Sequence, residues 1–280
     1  MPESSKYFER FIPIAFLSSF ILMACGLVAG CGGSSTPAPP IPMAAMNGNF
    51  SIAATSAGTL GINTFGGGMQ TDSAGHVAGL MHVEGSLLLC FGAQLDLPLA
   101  GTIDANNHLS ATITSSNNQS IALSATVSPN GALLTNGSYS GNGTGCVSGD
   151  HGAITGFQVQ AFTGTYSGSF SPSPSTNIGL TLALTQSTTP DSDGTFPFSA
   201  STITVTGGAA CGFASATLVP DVSDASGNNL NLLLMGSDGV STMLYVGITL
   251  DGNTNLVRGQ MFINTGPCSG QGGFINLSRS

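Results

Sequence analysis

From residue 47 onward the hydrophobic pattern has period two. Leu180, Leu182 and Leu184 alternate with Thr181, Ala183 and Thr185, and Ile203 and Val205 alternate with Thr202, Thr204 and Thr206. Leu109, Ala111 and Ile113, then Ile121, Leu123, Ala125 and Val127, repeat the pattern earlier in the chain. Alternate residues of a strand point to opposite faces, so these segments predict half-buried antiparallel strands. Between them stand Ser128-Pro129-Asn130-Gly131, Ser237-Asp238-Gly239 and Asp251-Gly252-Asn253, which supply the positive φ angles that tight hairpins need. Gly66-Gly67-Gly68 and Gly141-Asn142-Gly143-Thr144-Gly145 also read as turns. Short strands in sequential hairpins, without an amphipathic helix, predict an all-β fold of antiparallel barrel-like domains, with a sandwich as the alternative.

The pattern occurs twice. Gly48-Asn49-Phe50-Ser51 matches Gly164-Thr165-Tyr166-Ser167, Asp72-Ser73-Ala74-Gly75 matches Asp191-Ser192-Asp193-Gly194, and Asn107-His108-Leu109 matches Asn228-Asn229-Leu230. Cys90-Phe91-Gly92 corresponds to Cys211-Gly212-Phe213, and Gly137 precedes Cys146 by the interval that separates Gly259 from Cys268. Matches in one order at near-constant offset predict a tandem duplication, with a first β domain over 47–161 and a second over 162–280.

The N-terminus departs from this pattern. Lys6 and Arg10 precede an apolar run from Ile12 to Val28, and Val28-Ala29-Gly30-Cys31 closes it. This charged, then apolar, then small-residue order is signal-peptide anatomy. Leu22-Met23-Ala24-Cys25 is a competing cleavage box, less suitable because Met23 is bulky. The segment resembles bacterial lipoprotein signal peptides. The resemblance implies that residues 1–30 are removed and that Cys31 becomes an acylated N-terminus holding the protein to a membrane. Gly32 follows, with no aspartate, which under the usual sorting rule implies the outer membrane. Residues 31–46, rich in Gly, Ser and Pro, read as a tether.

Composition then narrows the functions. Without residues 1–30 the chain keeps two bases, Arg258 and Arg279, against eleven acids, and its formal charge is still −9. Phosphate binding depends on clustered Lys and Arg, so nucleic acid is excluded as a partner. Trp is absent and aromatic residues are few, which weakens any sugar-stacking platform.

Apart from Cys25 and Cys31, four cysteines remain, and an exported chain meets an oxidising compartment. Four thiols allow three pairings. The repeat selects Cys90 with Cys146 and Cys211 with Cys268, because each pair then occupies the same two positions in its own half. The wide spacing does not fit a zinc or redox motif.

Candidate chemistry is sparse. All four histidines, His76, His82, His108 and His151, lie in the first half. His82 and Glu84 share a strand face, with His76 in the same parity, so a metal or carboxylate hydrolase centre there is the alternative function. Asp150-His151 places neighbours on opposite faces, and Asp191-Ser192-Asp193-Gly194 lacks the rest of a calcium loop. No catalytic residue, metal site or cofactor is assigned. The expectation is a non-enzymatic cell-envelope lipoprotein with a binding or structural role. It would meet the membrane through its N-terminal lipid, and an envelope protein or small apolar ligand through its β domains.

Overall fold

The computed structural model describes residues 47–57, 62–83, 96–143, 149–192 and 194–280. The signal segment, Cys31 and the tether lie outside these residues. The alternating segments form two antiparallel sheets in succession.

The first contains β1 (Gly48–Ser56), β2 (Ile62–Thr71), β3 (His76–Val83), β4 (Asp96–Ile103), β5 (His108–Thr114), β6 (Ser120–Val127), β7 (Leu133–Asn142) and β8 (His151–Val159). Each strand pairs with the next, and β8 returns to β1 through Phe50↔Gln158 and Ile52↔Gly156, so the meander closes as a barrel. The apolar parity faces inward. On β6, Ile121, Leu123, Ala125 and Val127 are buried while Ser120, Ala122, Ser124 and Thr126 lie at the outer side.

The second sheet contains β9 (Gly164–Ser173), β10 (Thr176–Gln186), β11 (Phe196–Thr206), β12 (Ala216–Leu218), β13 (Asp224–Ser226), β14 (Asn229–Gly236), β15 (Thr242–Ile248), β16 (Leu256–Thr265) and β17 (Gly272–Arg279). Its order is β12-β14-β13-β11-β10-β9-β17-β16-β15, and an additional β14–β15 pairing joins the ends into a ring. Here β9, β10, β11, β14, β15, β16 and β17 take the places of β1, β2, β3, β5, β6, β7 and β8. The place of β4 is divided. Pro220 opens a 3-10 turn, Pro220–Val222, between β12 and β13, and proline cannot donate to a sheet ladder. Consequently β13 pairs with the start of β14 and β12 with its end, and β11 meets β13 only at Phe196↔Ala225 and Pro197↔Asp224.

Backbone conformations repeat with the strands. Gly48 and Gly164 both have φ 143°, Gly131 and Gly252 have φ 73° and 76°, and Gly149 and Gly270 have φ 76° and 82°. The amide of Val127 donates to Asn107 O and that of Thr249 to Asn228 O, in the register of the sequence match. Twin barrels are therefore present.

Two turn assignments are corrected. Gly141 and Asn142 lie inside β7, paired with Ile121 and Ser120. Gly66, Gly67 and Gly68 lie inside β2. A Cβ on Gly66 would stand 2.9 Å from Gly227 Cα, and one on Gly68 would stand 2.8 Å from Gly194 O and 3.0 Å from the Phe196 ring. These glycines let the backbones of the two barrels meet. Beside them Asn49 Nδ2 donates to Gly227 O at 2.5 Å. The Gln160 amide donates to Gly252 O at 2.9 Å, and Thr254 Oγ1 donates to Ala161 O at 3.2 Å. Val159 and Phe162 join the second core, with Phe157 packed against it.

Cys211, in the stretch between β11 and β12, is bonded to Cys268, between β16 and β17, across a sequence separation of 57. Cys90 and Cys146 fall in the corresponding stretches, between β3 and β4 and between β7 and β8, and lie outside the described residues.

Candidate functional site

The barrel interiors are occupied. Phe50, Met69, Met81 and Leu97 in the first, and Leu232, Met243, Tyr245 and Leu277 in the second, have no exposed surface. Eight-stranded barrels are just wide enough for their own side chains to fill. In the second barrel Tyr245 donates to Val257 O at 3.1 Å, and burial pushes its phenol far above the usual range. Gly247 and Gly259, paired across β15 and β16, leave the space its ring needs. A Cβ on Gly247 would stand 2.4 Å from its hydroxyl.

The titratable residues serve local structure. Asp72 accepts from the amides of Ala74 and His76, both at 2.9 Å, and Asp104 from those of Asn106 and His108 at 2.8 and 2.9 Å. Asp238 accepts from the amides of Val240 and Ser241 and from the Ser241 hydroxyl, the last at 2.6 Å. These are the side-chain turns that aspartate forms between strands. The hydrogen bonds hold all three carboxyls below their ordinary value, led by His76 for Asp72, the His108 amide for Asp104 and Ser241 for Asp238. Asp191 accepts from the Thr195 amide at 3.2 Å within a turn, as its sequence suggested.

The histidines are dispersed. His76 Nδ1 lies 2.7 Å from Asp72 Oδ2, and His82 Nδ1 lies 2.9 Å from Asp96 Oδ1 across β3 and β4. Glu84 is outside the described residues. His108 Nε2 lies 2.9 Å from Ser124 Oγ, and His151 is exposed beside Gly149 O. Asp150, by contrast, is buried and accepts from Ser56 Oγ at 2.6 Å and from the Tyr139 hydroxyl at 2.9 Å. Asp150 and His151 thus diverge, as strand alternation requires. Among the described residues no three His, Cys, Asp or Glu side chains converge.

The barrels differ on their outer faces. Beginning at Val240, alternate outward residues along β15 and its flanking turns are Thr242, Leu244, Val246, Ile248 and Leu250, while Met243 and Tyr245 fill the interior. Leu244 pairs with Phe262, Val246 with Gln260 and Gln260 with Phe274, so the apolar row continues across β16 onto β17. Exposures are 37% for Val246, 42% for Phe262 and 81% for Phe274. Seven of the nine large apolar side chains that are exposed among the described residues belong to these strands and turns. The ladder register puts Ala122, Ser124, Thr126, Ser140 and Ala153 at the corresponding first-barrel places for Leu244, Val246, Ile248, Phe262 and Phe274. Sequence reasoning passed over this face, although Leu244, Val246, Ile248 and Leu250 put apolar residues on the parity where Ile121–Val127 carries Ala, Ser and Thr.

A second surface feature is a shallow polar trough of about 480 Å³ on β9, β10, β11 and β17, lined by Ser167, Ser169, Thr181, Thr204, Asn276 and Ser278. It contains no titratable side chain.

No family model and no curated protein matches the chain. A solved structure of a protein of unknown function from the DUF3598 family of Nostoc punctiforme is similar at 12% identity and TM-score 0.24, over 85% of this chain and 97% of that one. A likeness this weak carries no argument about fold or function.

Proposed function

We propose that the protein is a cell-envelope lipoprotein, held to the outer membrane through acylated Cys31, whose twin barrels act as a non-catalytic binding or structural module. The observation that carries this reading is the use of the side chains. Apolar residues fill both interiors, Asp72, Asp104 and Asp238 serve turns, and His82 pairs across strands with Asp96. The outer surfaces are left for recognition, and the apolar face of β15–β17 is the one that departs from a solvated strand surface. The Cys211–Cys268 bond suits an exported chain.

The test is intact-mass analysis of the protein purified from bacterial membranes. The expected species begins at Cys31 and carries diacylglycerol and N-acyl mass. Substitution Cys31→Ser should abolish both the added mass and recovery in the detergent fraction. An unmodified N-terminus on the native chain would end this reading.

A further inference from the structure

We infer that the outer face of β15–β17 rests on the surface of a phospholipid bilayer, the one in which the acyl chains of Cys31 are seated. The inference depends on the lipoprotein reading above and adds the partner and the face that meets it.

Two observations select a bilayer. First, the strands of the face combine exposed apolar groups with a cation. Leu244, Val246, Ile248, Phe262 and Phe274 form its apolar rows and Arg258 stands among them opposite Asn276, whereas Arg279, at the end of β17, has the inward parity of Leu277 and lies over Gly164. Arg258 is one of the two arginines that remain after residues 1–30 in a chain of charge −9, and β15, β16 and β17 contain no Asp or Glu, with Asp238 and Asp251 confined to the turns that flank β15. Aromatic and aliphatic groups suit the acyl boundary, while arginine extends to headgroup phosphates.

Second, Asn47, the first described residue after the tether, stands near the edge of this face. Asn47 O accepts from Gln158 Nε2 at 3.0 Å. The carbonyl of Gln158 lies 2.7 Å from where a Cβ on Gly252 would stand, and Gly252 belongs to the β15–β16 turn beside exposed Leu250. Residues 32–46 span at most about 50 Å when extended, so an acylated Cys31 raises the effective concentration of lipid at the face and a weak contact suffices.

The chain has no Trp, so one introduced indole reports alone. Full-length acylated Phe274→Trp is reconstituted in phosphatidylethanolamine–phosphatidylglycerol vesicles with brominated acyl chains. Ala153→Trp, at the corresponding exposed place of the first barrel, is the control. The indole at position 274 should lose most of its emission to the brominated lipid and shift to the blue, whereas the one at position 153 should do neither. Equal quenching of the two variants, or no quenching of Phe274→Trp, overturns the inference. Shielding of the indole at position 274 without quenching, accompanied by a cross-linked dimer, also overturns it and assigns the face to a second copy. An N-terminus without acyl mass defeats the lipoprotein reading separately, because the same two variants can then be compared after addition to preformed vesicles.

Discussion

The two barrels share an inner pattern and differ outside. In the first, Leu123 pairs with Tyr139, and at the corresponding places of the second Tyr245 pairs with Met261. The large ring has changed strands while the pair still fills the same layer, as cores permit when volume and pattern are kept. Outside, small and polar residues in one barrel correspond to Leu, Val, Ile and Phe in the other. A core pattern specifies the barrel, and an outer pattern is free to specify what the barrel meets. On the proposed reading, recognition therefore falls to β15–β17 rather than to either interior.

The comparison can be broken most severely at the sulfur bridge. Replacing Cys211 and Cys268 by Ser should cost about 4 kcal/mol, the unfolded-chain entropy released by opening a loop of this length. Denaturant unfolding under oxidising conditions reads the loss, which should fall on the second barrel. Loss confined to the first barrel would contradict the independent closure of the two rings.

Next are the matched cores. Ile154 opposes Gly137 and Ile275 opposes Gly259 in corresponding ladders, and both are buried. Ile154→Ala and Ile275→Ala should each cost about 2–5 kcal/mol. A cost near zero at either place, measured by chemical denaturation, would show that the two interiors are not packed alike.

The seam between the barrels should be less costly to disturb. Gly68→Val would press on Gly194 O and the Phe196 ring, at an overpacking cost of roughly 1–3 kcal/mol. The expected calorimetric result is separation of one transition into two. An unchanged trace would mean that the close backbone approach does not couple the barrels.

The pH response should be smaller and shared. Asp72 and Asp104 in the first barrel and Asp238 in the second are held below the ordinary value of 3.8. Their folded forms hold fewer protons than the unfolded chain in that region. Their contribution is complete above the ordinary value and is lost as pH falls below it through the folded values. Melting temperature should be level above this window and decline beneath it. Asp238→Asn should remove part of the decline.

Much of the fold was legible because alternation and turn chemistry are local. The strands around Leu123 and Leu182 follow from period two, and the Cys211–Cys268 bond followed from positions repeated in order. The glycines of β2 were misread because three in succession ordinarily break a strand, and only the approach of Gly227 and Gly194 gives them a place inside one. The division of β4's counterpart by Pro220 was equally hidden, since a three-residue strand has no periodicity of its own. The apolar outer face had a signal in the run from Met243 to Leu250, but its meaning depended on knowing that one parity of β15 is already inside a filled barrel.

The most direct test exchanges the outer faces in the full chain. Leu244→Ala, Val246→Ser, Ile248→Thr, Phe262→Ser and Phe274→Ala together would give the second barrel the outer residues of the first. A protease site is placed in the tether, and the reconstituted protein is cut and centrifuged with its vesicles. The account predicts that barrels with the native face stay with the lipid after cutting, while those with the exchanged face are released and still melt cooperatively. Equal release of both would contradict it.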